Sequence, residues 1–249
     1  MADKGVIVIV GGIARLSALA AGLGLGAAVA AMASTPAVAW ADVVDFDPNN
    51  FALSIDGIPL IHEGTATATS TFGNIAIADG AGSGATATNG YLDLASAYGD
   101  DSSAQVGLGD LDAGFANGAN STVFAGGYLD TPGNVDLASA NGTYGLASAT
   151  EGWFDQAFEN GDYSTAAAGV GNGDFASVFG HGDIAGAVGY DNLLGNNDIA
   201  LVVGNLSYAL AGSNFTDPGS FDLAAIFGDS LDANAQGANF LVEILPSLF

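Results

Sequence analysis

From about residue 64 onward, small and apolar residues alternate over short stretches that close on glycine: FGNIAIADG (72–80), YLDLASAYG (91–99), NGDFASVFG (172–180) and HGDIAGAVG (181–189). DLDAGFANG (110–118), TYGLASATEG (143–152) and WFDQAFENG (153–161) are further copies, nine or ten residues long. A period of two puts Ala95, Ala97 and Gly99 on one strand face and Leu94, Ser96 and Tyr98 on the other. The small face returns as Ala176/Val178, Ala185/Ala187 and Ala200/Val202. Three longer units, 128–142, 190–204 and 214–228, end on the same pattern, so their extra residues read as loop insertions. A short fixed period is the mark of stacked repeats. The pattern therefore predicts an all-β chain, a parallel β-solenoid or β-roll of Ala-x-Ala-x-Gly units spanning 64–237. Alanine and glycine are poor strand formers, and Gly/Ala-rich repeats also occur as disordered chain or polyproline-II bundles. The 14 Phe, 7 Tyr and 2 Trp recur in register beside the alanine face and favour strands.

The flanks read differently. Within 42–63, FALSIDGIPLIHEG places Asp56-Gly57 between two apolar runs, a hairpin signal, and such a hairpin would cap the solenoid's open edge. The last twelve residues, 238–249, are apolar and read as a C-terminal cap, an oligomer contact or an envelope attachment. Residues 1–41 carry Arg15, the apolar run Leu16–Met32 and the triplets Ala37-Val38-Ala39 and Ala39-Trp40-Ala41. That order is a signal peptide cleaved before Asp42, or an uncleaved N-terminal helix anchoring the chain in a membrane. VIVIVGGIARLSA looks like a dinucleotide-binding turn, but the three glycine positions of that fingerprint hold Val10, Gly12 and Arg15.

Charge narrows the function classes. Of 29 charged side chains other than histidine, 27 are acidic, and the two basic ones, Lys4 and Arg15, lie in the leader-like segment. Nucleic acid is excluded as an electrostatic partner, and a membrane is open only to the N-terminal segment. The carboxylates must be solvated, bonded to backbone N–H groups or neutralised by cations. Without cysteine there is no disulfide, no thiol catalysis and no iron–sulfur ligation. His62 and His181 stand in no metal-binding or nucleophile–base spacing, so the chain is expected not to be an enzyme.

One site remains to consider. GNGDF and GHGDI place Asp174 and Asp183 at the same phase of consecutive units, and Asp162 and Asp110 sit in similar turns. Stacked turns would align such carboxylates into a column that repels itself unless cations, calcium above all, intervene. The plain alternative is solvated turn aspartates. In period and composition these turns resemble calcium-binding RTX repeats, although glycine directly precedes aspartate here. The Ala-x-Ala-x-Gly units also resemble the β-roll heads of trimeric autotransporter adhesins. The overall make-up is similar to exported Ala/Gly/Asp-rich repeat proteins of mycobacteria. These resemblances imply a secreted or cell-surface structural or adhesive protein that self-associates as a homo-oligomer, with the trimer as the form implied, and that meets an envelope or host surface ligand. A calcium-binding β-roll that folds on export is the alternative, and a solenoid enzyme acting on polysaccharides is a third.

Overall fold

Ala95 stands in register not with the neighbouring nine-residue unit but with Ala76 on one side and Gly114 on the other. One coil therefore takes two units, and consecutive units fall on opposite sheets. The computed structural model describes residues 47–127, 132–188, 195–212, 220–237 and 242–246. Residues 1–41, read above as a cleaved leader or anchor, and most of the apolar tail lie outside the described residues.

The chain forms a β-solenoid of two long, mostly parallel sheets with no helix among the described residues. The first sheet has eleven strands. It starts with the hairpin Ile58–His62 and Phe51–Ile55, continues at Ile75–Asp79 and Leu94–Tyr98, and ends at Val242–Pro246. The second sheet runs in nine strands from Thr67–Ser70 to Asp232–Gln236. Equivalent corners are 19 residues apart in the short coils and 24 in the long ones. The long coils carry their extra residues just before the first-sheet strands Leu137–Asn141, Ile199–Asn205 and Leu223–Phe227, so the insertions fall at one corner and leave both strands in place.

The alanine faces of the two sheets point at each other and make the core. Ala76, Ala95, Ala138, Ala147, Ala166 and Ala185 are all fully buried. Alanine buries little area, so the core is thin, and each coil is held chiefly by the coils above and below it. Where one side grows, the other shrinks. A Cβ on Gly114 would lie 2.9 Å from Val106 Cγ2 and 3.0 Å from Val123 Cγ1, so the two valines occupy the space that this glycine leaves.

The corner before the first-sheet strands holds a left-handed residue one place ahead of the next strand's leading Asp or Asn, in each coil from Gly73 to Phe221. Gly73 and Gly173 supply it at one corner, but Leu92, Leu111, Val135 and Phe154 hold φ of 62°, 68°, 62° and 65° at the same place in other coils. A β-branched residue there is strained. At the N-terminal end, Asp56 and Gly57 have φ of 55° and 78°, as a two-residue type I′ turn requires. The hairpin strand Phe51–Ile55 pairs antiparallel with Ile75–Asp79 and so covers that edge of the first sheet. Ser54 Oγ and Ser70 Oγ, 2.8 Å apart and buried, tie the hairpin to the second sheet.

Candidate functional site

From Ile75–Asp79 to Leu223–Phe227, the residue immediately before each first-sheet strand is aspartate or its amide. Asn74, Asp93, Asp112, Asp136, Asp155, Asp174, Asp198 and Asp222 stack one per coil in a single column, each between 0 and 1% exposed. The spacing of the coils builds this column: Oδ1 of each side chain accepts the backbone N–H of the next rung. The bonds run from Asp93 N to Asn74 Oδ1 (3.0 Å) and from Asp112 N to Asp93 Oδ1 (3.2 Å). They continue from Asp136 N to Asp112 Oδ1 and from Asp155 N to Asp136 Oδ1, each 2.9 Å. Asp174, Asp198 and Asp222 donate in turn, at 2.9, 3.1 and 2.8 Å. A corner N–H with no strand partner is thus satisfied by a side chain one coil away.

The second oxygens are another matter. Oδ2 of Asp93, Asp112, Asp136, Asp155, Asp174 and Asp198 is buried without a hydrogen-bond partner. Burial pushes Asp93 and Asp155 up to about 7, Asp112 up to about 8, Asp136 and Asp174 up to about 9, and Asp198 up to about 6. The N–H of the next rung pulls each back down, and neighbouring carboxylates, such as Asp110 beside Asp93 and Asp112, push up again.

The opposite corner uses serine. Ser83, Ser102, Ser121, Ser164 and Ser207 are buried one place before second-sheet strands, and Asp183 takes that place in one coil. Asp183 accepts Ser207 N–H at 2.7 Å and donates its own N–H to Ser164 Oγ at 3.2 Å. Gly145 takes the place in another coil, and the carboxyl of Glu159 fills the room it leaves: a Cβ on Gly145 would lie 2.1 Å from Glu159 Oε2. Burial pushes Glu159 up to about 8, only partly offset by the backbone N–H groups of Asn141 and Gly161.

The four calcium candidates therefore scatter. Asp174 belongs to the first column and Asp183 to the second, because consecutive units alternate between sheets. Asp110 and Asp162 are exposed turn residues whose Oδ1 atoms accept Tyr91 N–H (3.0 Å) and Thr143 N–H (2.7 Å). Among the described residues no three His, Cys, Asp or Glu side chains converge as metal ligands. His62 is exposed on the hairpin, and His181 meets the ring of Tyr163 edge-on at 5.6 Å, beside the Tyr144–Tyr163 stack.

The two outer faces differ. From Leu94–Tyr98 to Leu223–Phe227 the outward positions of the first sheet carry no charged side chain, and many are aromatic or aliphatic. The second sheet shows mainly Thr, Ser and Gly over its early coils. Comparison with protein-family models, with curated proteins and with solved structures returned no match to this chain.

Proposed function

We propose that the chain is a non-catalytic structural repeat protein of the secreted or cell-envelope kind, a rod that self-associates through the outer face of its first sheet. The observation that carries this reading is the middle row of that face, where Ser96, Phe115, Ser139, Phe158, Ser177 and Leu201 follow one another coil by coil. Large and small side chains alternate, and Ser96 and Ser177 are only 4 and 3% exposed, sunk between their neighbours. Large rows recur every two coils, about 9.6 Å apart. A second copy shifted by one coil would drop its large rows into the small rows of the first, which is the self-complementarity a symmetric contact needs.

Size and charge fit as well. Seven strands about 4.8 Å apart and five residues long give roughly 500 Å² on each copy. The pair would bury roughly 1,000 Å², the lower bound for a specific interface. A chain of net charge −25 can approach itself only through a surface without carboxylates, and this face is one. The acid-rich corners and the leader-like pattern of 5–41 support a place outside the cell.

Light scattering on the full chain tests the reading. A mass above monomer is expected, reduced to monomer by Phe115→Asp with Phe158→Asp while the β circular dichroism stays unchanged. A monodisperse wild-type monomer overturns it.

A further inference from the structure

The aspartate column presents a chemical contradiction unless its members carry protons. Three side chains at corner positions show what the site asks for. Asn74 Nδ2 donates to Gly90 O at 2.9 Å, Ser164 Oγ to Gly180 O at 3.2 Å, and Ser207 Oγ to Gly228 O at 2.9 Å. In each case an N–H or O–H reaches the glycine carbonyl of the next coil.

At four aspartate rungs, Asp93, Asp112, Asp155 and Asp183, a carboxyl oxygen stands where that donor would be. A Cβ built on Gly90 would lie 1.6 Å from Gly109 O and 2.5 Å from Asp93 Oδ2, so those two oxygens are neighbours. The same holds on Gly109, at 1.5 Å from Gly133 O and 2.5 Å from Asp112 Oδ2. On Gly152 the distances are 1.9 Å to Gly171 O and 2.3 Å to Asp155 Oδ2. At the opposite corner, on Gly180, they are 1.5 Å to Gly204 O and 2.2 Å to Asp183 Oδ2. An ionised carboxylate and a carbonyl are both acceptors, and placed together in a buried site they repel. A proton on Oδ2 turns the contact into an O–H donor to the carbonyl, which is the bond that Asn74, Ser164 and Ser207 make.

No counter-charge offers another way out. The described residues contain no Lys or Arg. The titratable neighbours of the first column are its own members, Asp222 among them, together with Asp110. Those of Asp183 are Asp229, which pushes it up, and His181, which pulls it down less than burial raises it. A file of bare carboxylates at successive coils would also carry like charges about 4.8 Å apart in a dry core.

We propose that Asp93, Asp112, Asp155 and Asp183 are held as neutral carboxylic acids, each donating Oδ2–H to the glycine carbonyl one coil on, that Asp136, Asp174 and Asp198, whose Oδ2 atoms are likewise buried without a partner, are held neutral with them, and that this proton column makes the solenoid a pH-sensitive fold. The protonated column zips coil to coil through Oδ1 and Oδ2 together. Loss of the protons leaves a stack of buried charges facing carbonyls, and the coils separate. The raised pKa values of the column agree, spanning about 6 at Asp198 to about 9 at Asp136 and Asp174. The transition is therefore placed on the alkaline side of neutrality and is shared by all coils, because each rung's neighbour is another rung.

Infrared spectroscopy of the full chain tests this, read beside circular dichroism from about pH 5 to about pH 10. Exposed aspartates are ionised at about pH 6 and give no carboxylic-acid C=O band there. The expected result is a clear acid band at about pH 6 that vanishes together with the β spectrum as the pH rises. Asp112→Asn with Asp136→Asn should cut the band by about a quarter, since two of the eight acids expected to be neutral, the seven aspartates and Glu159, are removed. Asparagine already serves as a rung at Asn74, and should these variants not fold, the wild-type band decides alone. A β-rich wild-type spectrum at about pH 6 without an acid band overturns the proposal, as does a fold that is lost on adding chelator, which would put cations where the protons are placed.

Discussion

Consider replacing Asp136 by asparagine. The amide keeps Oδ1 for the Asp155 N–H, a 2.9 Å bond, and offers an N–H in place of Oδ2. It cannot ionise. In the wild type, burial holds Asp136 up to about 9, against 3.8 for the free side chain. Between those values the folded chain carries a proton at this position that the unfolded chain has released. The favourable linkage is complete below about pH 4 and is lost as the pH rises toward about 9. Each pH unit in that window removes about 1.4 kcal/mol of stability. At about pH 7.5 the accumulated cost of this one carboxyl reaches several kcal/mol, with about 5 kcal/mol as a ceiling. D136N escapes that cost, so the variant should be several kcal/mol more stable than wild type at about pH 7.5 and nearly equal to it at about pH 4. Guanidinium unfolding of both full-length chains at three pH values measures the difference directly. The stability-against-pH slopes should differ by about 1.4 kcal/mol per unit. A D136N chain less stable than wild type at about pH 7.5, or two parallel slopes, would refute the reasoning.

Three further predictions use other regions of the solenoid. Gly145→Ser restores the serine of that corner but collides with Glu159, and should cost about 2 kcal/mol in chemical denaturation; adding Glu159→Ala should recover most of it, and strictly additive effects would separate the two sites. Val135→Gly relieves a β-branched residue at φ 62° and should raise the unfolding midpoint by the equivalent of about 1 kcal/mol, as checked by thermal melting. Gly161→Ala would set a Cβ 1.5 Å from Gly180 O, and should force adjacent coils away from each other, read as lost β signal and protease sensitivity at that corner.

The strand pattern was legible because alanine and glycine alternate with larger residues at a period only strands satisfy. Ala95 and Ala97 fell on one face and Leu94, Ser96 and Tyr98 on the other, and the structure turns the first pair inward. The insertions were legible too, because the fifteen-residue units keep their strand ends. The coil was not, since a nine-residue repeat looks the same whether successive units stack or face each other. That ambiguity put Asp174 and Asp183 in one imagined column. The aspartate column itself was hidden by convention: Asp in a glycine-rich turn ordinarily faces water and bonds its own backbone. The distinguishing signal lay in spacing. An Asp or Asn recurs one place before each first-sheet strand from Ile75–Asp79 to Leu223–Phe227, whereas its counterpart across the coil is mostly Ser. A residue type that tracks one corner and not the other answers to a packing demand.

The 19-residue coil with one open corner has a consequence for how such a chain changes length. Each strand of a coil meets the strands directly above and below and, across the alanine core, the facing strands of its own and adjacent coils, so duplication or loss of one whole coil joins surfaces that already match. The five extra residues of the long coils always fall at the same corner of the chain's path, so that corner can accept foreign sequence without disturbing register. Lineages carrying this chain are therefore expected to differ in steps of one coil, each adding about 4.8 Å of rod, as if the gene held a ruler whose divisions recombination can add or erase.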